Sequence, residues 1–491
     1  MATPTPVLAP PIPTQPPQSR PTSERAPTPS LSRPPAPRLA ARAYARLYAG
    51  VLWPAWERVA RGRTTLCHLA WLEQSQWAPP EEVERLQLAA LRALLTHAGV
   101  RIPYWRDTFH RLGFDPRDVK RREDLAALPV LTRDTIRERY ADLVDPQLAP
   151  TNLKKATSGS TGAPLRFEYS RESECWRQAV KLRSYAWAGY RPGLPTLHFW
   201  ARLHELPPGA RGLKVRVDRA LKREIYVDSI RQDEEARRDT LAILRRQRPS
   251  FVVCYTQSCA QFARWVLDRA QRDWGDIPVL CGAEPVLPSD RAVLARAFGP
   301  HVFETYGSRE TMLMACECEA HDGMHLMEEN LIVEVTRSGS PVPVGESGAV
   351  LVTDLHNYGM PLIRYANGDL ARMAPEGPCP CGRGLRKLAH VDGRHTETMT
   401  DGEGNPVPGM LVPPLFLDVD AEVARQVRCV QRLGGDVVLQ VVKGRDWSAE
   451  RIEPKMRTLE RYLRGRKVTL EYVDAILPGP SGKMRMVEVE R

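Results

Sequence analysis

Hydrophobic positions between residues 40 and 95 recur every three or four residues, which is the spacing of an amphipathic helix. Pro79-Pro80 separates an earlier group from a later one and is typical of the start of a new helix. We therefore expect residues 40–150 to form a helical cover over the rest of the fold. The spaced positions are Tyr44, Leu47, Tyr48, Val51, Leu52, Trp56, Val83, Leu86, Leu88, Leu91, Leu94 and Leu95.

Beyond residue 195, β-branched apolar runs alternate with amphipathic stretches. This order is typical of a mostly parallel sheet with helices on its faces. From Leu331 the apolar runs become shorter, which predicts an antiparallel β subdomain. The predicted strands cover residues 197–200, 251–255 and 278–282, and the predicted helices cover residues 233–246 and 260–272.

The two ends of the chain differ from its middle. Residues 1–38 are mainly Pro, Thr, Ser and Ala, which bury too little apolar surface to order, so we expect a disordered Pro-rich tail. Residues 394–491 carry two strand patterns with a helical pattern between them, and we expect a small domain on a hinge. The predicted fold class is α/β, with a large N-terminal domain (residues 39–393) of mostly parallel sheets, helices and a β subdomain, plus a small mobile α+β C-terminal domain.

Composition and charge narrow the function classes. The chain has 491 residues and is 42% hydrophobic, which is enough for a large core. Its net charge of +11 suits an anionic partner, but acidic residues are interleaved with the basic ones, so we expect no nucleic-acid binding. No apolar run is long enough to predict a membrane span. Ten cysteines without a secretory leader pattern predict reduced thiols in a cytoplasmic protein.

Residues 157–164 form a loop pattern of hydroxyl side chains and glycines. Its backbone N–H and side-chain O–H groups can converge on phosphate oxygens. It is not a Walker A loop, because Ala163 stands where that motif needs Lys. A Ser/Gly surface linker is the alternative interpretation. The candidate phosphate-binding residues are Ser158, Gly159, Ser160, Thr161 and Gly162.

Two further segments follow predicted strands. Residues 282–285 and 304–310 lie where apolar β runs end. Ligands of parallel sheets bind beyond the carboxyl ends of the strands, so we expect both segments on the functional rim.

Cysteine and histidine residues form two clusters in the sequence. Thiolate and imidazole groups drawn from two clusters suit a closed structural Zn²⁺ site. The spacing is looser than that of paired C-x₂-C knuckles, so unligated thiols remain an alternative. Cys318, Cys379 and Cys381 are the preferred sulfur ligands. The full clusters are Cys316, Cys318, His321 and His325, followed by Cys379 and Cys381.

Six short motifs occur in an order that resembles the adenylate-forming superfamily of acyl-CoA synthetases, adenylation domains and luciferases. Within it, the Cys318 to His325 and Cys379 to Arg383 segments resemble the phenylacetate-CoA ligase branch, especially its capsular-polysaccharide-biosynthesis (CapK-like) members. That resemblance also favours His325 over His321 as the zinc ligand. It covers about residues 40–491. The six motifs are residues 157–164, 281–285, 306–310, 364–369, 393–394 and 481–485.

The resemblance implies ATP-dependent activation of a small carboxylic acid to an acyl-adenylate, with transfer of the acyl group to CoA. An amine acceptor, giving an amide, and a non-catalytic nucleotide-binding scaffold are the alternatives. The resemblance does not identify the acid. We also allow for a homodimer.

The same resemblance assigns roles to individual residues. Glu310 would hold Mg²⁺, a hard cation that prefers carboxylate oxygen, although a solvated loop glutamate is the alternative. Lys483 and Thr161 would act with Glu310 in catalysis, and Asp369 would bind the ribose unless it only forms a turn. Arg309 stands where many relatives carry Thr, and residues 401–409 depart from the loop that CoA ligases use. The other implied nucleotide contacts are Ser158, Gly159, Ser160, Gly162, Gly282, Ala283, Glu284, Tyr306, Gly307, Ser308 and Arg394.

Overall fold

The structure is a computed structural model of the chain. It describes residues 39–157, 165–200, 210–229, 233–394, 398–404, 406–408, 412–417, 423–477 and 484–490. The predicted tail, the phosphate-loop residues from Ser158 to Gly162 and the predicted catalytic Lys483 therefore lie outside the described residues. For Arg394 the backbone alone is described.

Helices dominate the first part of the chain, as the periodicity predicts. The first helix continues beyond residue 47 through two π-helical segments, Tyr48–Leu52 and Ala55–Ala60. Pro80 occupies the first turn of the third helix, where its missing N–H costs nothing. The helices are α1 (Leu39–Leu47), α2 (Thr65–Ser75), α3 (Pro80–Arg101), α4 (Pro103–Leu112), α5 (Arg133–Glu138), α6 (Arg171–Trp187), α7 (Ala210–Lys222), α8 (Glu234–Gln247), α9 (Thr256–Asp268), α10 (Pro288–Phe298), α11 (Val412–Phe416) and α12 (Ala449–Leu463).

Within the described residues, the strands form one large sheet and three smaller ones. They are β1 (Leu153–Ala156), β2 (Arg166–Tyr169), β3 (Thr196–Trp200), β4 (Glu224–Asp228), β5 (Phe251–Tyr255), β6 (Val279–Gly282), β7 (Val302–Ser308), β8 (Met312–Glu317), β9 (Met324–Leu326), β10 (Leu331–Arg337), β11 (Ser340–Pro341), β12 (Gly348–Asp354), β13 (Tyr365–Met373), β14 (Lys387–Arg394), β15 (Thr398–Thr400), β16 (Pro406–Pro408), β17 (Ala424–Gln431), β18 (Val437–Lys443), β19 (Val468–Tyr472) and β20 (Val487–Val489).

The large sheet confirms the predicted α/β fold class. Its order is β11-β10-β12-β13-β14-β9-β8-β7-β6-β5-β3-β4. Strands β3 to β7 pair in parallel, with α8, α9 and α10 between consecutive strands. The antiparallel strands that the sequence predicts after Leu331 continue this same sheet, because the β7–β8 hairpin reverses the direction of pairing. The parallel and antiparallel strands therefore belong to one continuous sheet.

Helices packed against the strands bury the core of the large body. α3 and α4 pack their apolar faces with β2 and the segment before β13, which buries Trp105 and Phe167 fully. α6 packs between α2 and the sheet through Trp176, Ala179 and Val180. Among the described helices, none combines the length and the apolar character that a bilayer span needs.

The C-terminal part has its own core. Strands β17 to β20 form a sheet of order β19-β18-β17-β20, and α12 buries Ile452, Leu459 and Leu463 against it. α12 begins at the Ser448 N-cap, whose hydroxyl accepts a hydrogen bond from the Arg451 N–H. The large sheet ends at Arg394, and the separate sheet begins after it.

Candidate functional site

The carboxyl ends of β6 and β7 form one rim of the large sheet. Gly282 ends β6, and a Cβ at this position would lie 2.8 Å from the Thr305 hydroxyl, so a larger residue would displace that group. The same hydroxyl donates to the Cys281 carbonyl oxygen at 2.8 Å. Ala283 then takes a positive φ of 67°, a conformation that costs a non-glycine residue energy. The rim thus has a fixed backbone conformation at Gly282 and Ala283, two of the predicted nucleotide contacts.

Tyr306, Asn367 and Asp369 form a hydrogen-bonded triangle at this rim. The Tyr306 hydroxyl donates to Asp369 Oδ2 at 2.8 Å, and Asn367 Nδ2 lies 2.8 Å from both the Tyr306 oxygen and Asp369 Oδ2. All three side chains are buried, and Asp369 is the most exposed of them at 9%. The triangle fixes the aromatic ring and the carboxylate relative to each other.

The strand β13 explains why these groups meet. Tyr365, Asn367 and Asp369 occupy alternate positions, and side chains at alternate positions of a strand share a face. Burial along the strand alternates in the same way. Arg394 lies directly opposite Asp369 on the neighbouring strand β14, so the two predicted ribose contacts are neighbours in the backbone.

Glu310 is buried beneath the rim, at 3% exposure. Its Oε1 accepts a hydrogen bond from the Tyr365 hydroxyl at 2.8 Å and lies 3.5 Å from Arg133 Nη2. The same Arg133 nitrogen donates to the Asn367 carbonyl oxygen at 2.9 Å, so Arg133 connects Glu310 to β13. Glu310 is therefore not the solvated loop glutamate of the alternative interpretation.

Arg177 of α6 supports the Glu310 backbone from below. Its Nη1 donates to the Glu310 carbonyl oxygen at 2.6 Å, and its Nη2 donates to Asp354 Oδ2 at 2.6 Å. Both Arg177 and Asp354 are buried. A buried ion pair is costly unless its remaining donors are satisfied, and the Glu310 carbonyl satisfies one of them.

Glu284 connects the rim to the C-terminal body. Its Oε2 accepts the Gln257 N–H at the start of α9 at 2.9 Å, where the helix dipole favours negative charge. Its Oε1 accepts the Met484 N–H at 2.6 Å. Met484 directly follows the predicted catalytic lysine, so this part of the C-terminal body lies against the rim.

The remaining predicted rim residues shape the β7–β8 turn. Gly307 lies so close to the Met312 carbonyl that an added Cβ would overlap it. The Ser308 hydroxyl accepts the Thr311 N–H at 3.2 Å and lies 3.0 Å from the Thr311 hydroxyl. Both residues therefore hold the turn that presents Glu310.

Sequence reasoning missed four polar residues of this site: Arg133, Arg177, Tyr365 and Asn367. Asn367 and Tyr365 lie inside a motif already singled out, and their alternation with Asp369 along a strand was the available signal. Arg133 and Arg177 lie in helices far away in the sequence and carry no local signal.

A second cluster brings together Cys318, His325, Cys379 and Cys381. Their ligand atoms all lie within 4.8 Å of one another, and all four residues are buried. The Cys318 and Cys379 Sγ atoms are 3.8 Å apart. This matches the edge of about 3.8 Å that a tetrahedron with Zn–S bonds of about 2.3 Å has. The donor set therefore fits Zn²⁺.

Neighbouring groups orient the cluster. His325 Nδ1 lies 2.9 Å from the Leu385 carbonyl oxygen, to which it donates, so Nε2 is left facing Cys381 Sγ at 3.2 Å. The N–H groups of Ala320 and Arg383 donate to the Cys318 and Cys381 sulfurs. These contacts are those expected around thiolate ligands.

The groups of the cluster shift one another's pKa values: hydrogen bonds with Cys379 and Cys381 raise the pKa of Cys318. Hydrogen bonds from the Cys318 and Cys379 thiols lower the pKa of Cys381. Burial lowers the pKa of His325, but the Cys379 and Cys381 sulfurs outweigh it and raise that pKa to about 9. Cys316 and His321, the other members of the sequence clusters, point elsewhere: His321 contacts Glu317 at 3.3 Å, and Cys316 faces the Ser184 carbonyl oxygen.

Comparison with known proteins finds similarity to acid–CoA ligases. No family model matches it. A phenylacetate-coenzyme A ligase of Thermus thermophilus is 28% identical over 369 residues, which cover 72% of this chain and 80% of that protein. The Escherichia coli phenylacetate-coenzyme A ligase is 26% identical over 354 residues, covering 69% and 77%. The chain is a relative of the phenylacetate-CoA ligases. The CapK-like subtype is a finer distinction that these matches do not make.

Solved structures show the same fold. A 2-hydroxyisobutyryl-CoA ligase in its postadenylation state has a TM-score of 0.68 at 19% identity, covering 84% of this chain and 90% of that one. The same ligase in its thioesterification state has a TM-score of 0.54 over similar coverage. The likeness to this ligase therefore shows the fold of the chain.

Proposed function

We propose that this chain is an ATP-dependent acid–CoA ligase. In the first step a carboxylate oxygen of the acid attacks the α-phosphorus of ATP, and pyrophosphate leaves. In the second step the CoA sulfur attacks the acyl carbon, and AMP leaves. The relationship to phenylacetate-CoA ligases over most of the chain supports this proposal. The observation that carries it in the structure is the triangle of Tyr306, Asn367 and Asp369 beside buried Glu310.

The triangle suits a nucleoside. Asp369 offers carboxylate oxygen to the two ribose hydroxyls, and Arg394 on the adjacent strand is near enough in the backbone to share that sugar. The Tyr306 ring, held by two hydrogen bonds, offers an aromatic face to adenine. The remaining proposed nucleotide contacts are Ser158, Gly159, Ser160, Thr161, Gly162, Gly282, Ala283, Glu284, Gly307 and Ser308.

Glu310 is the proposed Mg²⁺ ligand. Mg²⁺ held by this carboxylate would supply positive charge against the phosphates of ATP. Tyr365 and Arg133 meet the carboxylate at Oε1, and this fixes its orientation toward the rim. Arg133 supplies positive charge at the same place, so it also fits a role in binding phosphate.

Lys483 is the proposed catalytic lysine for the first step. Its charge would stabilise the negative charge that develops between the carboxylate and the α-phosphate. The Met484 N–H bonded to Glu284 supports this role, since it brings the adjoining chain to the rim. We propose domain boundaries at residues 38 and 393, with residues 394–491 rotating between the two steps.

The second cluster is proposed to hold a structural Zn²⁺. Four protein ligands would leave no open position, so this metal would stabilise the fold and take no part in either step. Zinc bound there would connect the β8–β9 hairpin to the loop before β14. The ten cysteines are unpaired thiols, which supports a cytoplasmic location.

Acid-dependent exchange of labelled pyrophosphate into ATP tests the first step. A panel of aryl, fatty, amino and sugar acids should contain at least one acid that drives exchange, and that acid plus CoA should yield a thioester and AMP. No exchange with any acid, together with tight nucleotide binding, would support the scaffold alternative. A product formed with an amine but not with CoA would make the chain an amide ligase, and size-exclusion chromatography with light scattering would decide on the homodimer.

A further inference from the structure

Two amphipathic helices on the surface of the large body meet through Tyr44 and the C-terminal end of α7, and neither has a role in the proposed reaction. One is the continuous helical segment 39–60, and the other is α7. The Tyr44 hydroxyl donates to the Leu221 carbonyl oxygen at 2.6 Å, and the Arg223 guanidinium lies 5.3 Å from the centre of the Tyr44 ring. The two helices thus form one surface, which we call the α1–α7 face.

The α1–α7 face exposes large apolar side chains. On α7 they recur at every fourth position, which places them in one stripe along the helix. Val59 is 86% exposed and Leu213 is 63% exposed. Single exposed apolar residues are common on protein surfaces, whereas a group of them marks an interaction site. The apolar members of the face are Leu47, Val51, Leu52, Trp56, Val59, Leu213, Val217 and Leu221.

The two helices and the residues that directly flank them carry most of the net charge. Residues 39–63 and 212–223 together contain ten Lys and Arg residues and two acidic ones, a net +8 out of +11 for the whole chain. Exposed basic residues lie on both helices, including Arg46, Arg58, Lys214 and Arg216. The Arg61 guanidinium lies 5.1 Å from the centre of the exposed Trp56 ring, so charge and apolar surface are adjacent.

We propose that the α1–α7 face docks on an anionic phospholipid membrane surface. Apolar side chains would enter the boundary between headgroups and acyl chains, while the Lys and Arg side chains reach the lipid phosphates. Trp56 is the residue type that favours this boundary. The segments would lie on the bilayer and would not cross it, in agreement with the lack of a spanning helix among the described residues.

The positive charge of the α1–α7 face argues against a second copy of the chain as its partner. In a two-fold dimer the same patch meets itself, so a net +8 would face a net +8 and repel. A nucleic acid would satisfy the charge but would leave the aliphatic stripe of α7 in water. An anionic lipid surface is the partner that matches both properties.

Vesicle sedimentation tests the proposal on the full chain. Vesicles of phosphatidylcholine mixed with phosphatidylglycerol should bind the protein at low salt, and vesicles of phosphatidylcholine alone should bind it much less. Lys214→Glu with Arg216→Glu should lower the apparent binding constant at least tenfold, because each basic residue near the surface contributes to attraction. Leu213→Ser with Val217→Ser and Leu221→Ser should lower it similarly at higher salt, where the apolar contribution dominates.

Matched variants control for non-specific effects. Leu433→Ser and Val344→Ser replace exposed apolar residues outside the face and should bind as the parent protein does. All variants should keep the parent melting temperature and pyrophosphate exchange, which separates this result from the proposed reaction. No binding to phosphatidylglycerol vesicles, or binding that the α7 variants leave unchanged, would overturn the proposal. So would a dimer that the apolar α7 variant dissociates without any vesicle binding, because the face would then join two copies.

Discussion

Glu310 is a buried carboxylate whose surroundings suit a metal site better than a surface loop. Tyr365 and Arg133 hold one oxygen, and Arg177 holds the backbone carbonyl of the same residue. Three separate elements therefore hold one residue, two through its side chain and one through its backbone. Such convergence is expected where a ligand must be positioned accurately.

The Glu310→Gln variant should lose pyrophosphate exchange by about two orders of magnitude, because it removes the charge that would hold Mg²⁺. Its fold should persist, since the amide can still accept the Tyr365 hydrogen bond. The measurement is acid-dependent exchange at several Mg²⁺ concentrations, with exposed Glu346→Gln as the control. Near-parental activity at every Mg²⁺ concentration would contradict the assignment.

The Arg177–Asp354 ion pair gives a stability prediction. Asp354→Ala leaves Arg177 buried and unpaired, so we expect the free energy of unfolding to fall by about 3–5 kcal/mol. Glu453→Ala, which breaks the exposed pair with Arg457, should change it by less than about 1 kcal/mol. Urea unfolding followed by tryptophan fluorescence measures both. Equal effects of the two variants would show that burial does not determine how much the Arg177–Asp354 pair contributes to stability.

At the scale of elements, the strands and helices of the parallel region were predictable. The predicted strand 251–255 is β5, and the predicted helix 233–246 is α8 within one residue at each end. The pair α7 and β4 was missed. β4 is a short edge strand of which most residues are only partly buried, so its sequence lacks the continuous apolar run of a central strand.

The zinc cluster joins elements that are distant in the sequence. Cys318 and His325 flank the β8–β9 turn, while Cys379 and Cys381 precede β14. Sequence reasoning found all four residues, because their types and proximity to turns are informative. It could not decide by spacing alone between His321 and His325, since the choice depends on which side chain faces the second pair.

Cys381→Ser should release the proposed zinc and lower the melting temperature, because binding energy at a structural site contributes to folding. Cys316→Ser is the control: this cysteine is also buried and lies two residues from Cys318, but it belongs to no candidate metal cluster in the described chain. Elemental analysis after gel filtration measures the metal. Zinc-free parent protein, freshly purified under reducing conditions, would refute the proposal.

At the scale of the whole molecule, two bodies meet near the rim. The Met484 N–H of the small body donates to Glu284 at the rim. The sequence predicted a hinge after Gly393 but could not predict this contact, because it depends on folding of both bodies. Arg425 of the small body also contacts Asp268 of α9 at 3.1 Å.

Lys483→Ala should separate the two half-reactions. We expect adenylate formation to fall by about two or more orders of magnitude, as for loss of a preorganised donor to developing charge. Consumption of chemically prepared acyl-adenylate with CoA should stay near the parental rate, because rotation of the small body would remove the lysine from that step. The control is exposed Lys467→Ala on the same body. Equal loss of both half-reactions would contradict the rotation.

The β7–β8 hairpin has a consequence for how a cell could control this protein. One end of β8 adjoins the turn that presents Glu310, and its other end leads directly into Cys318. Only seven residues, 311–317, therefore separate Glu310 of the proposed nucleotide site from Cys318 of the proposed zinc site. If both proposals hold, scarcity of zinc would withdraw ligase activity without any change in ATP, acid or enzyme synthesis. The zinc supply would then set the fraction of protein molecules that are folded and active.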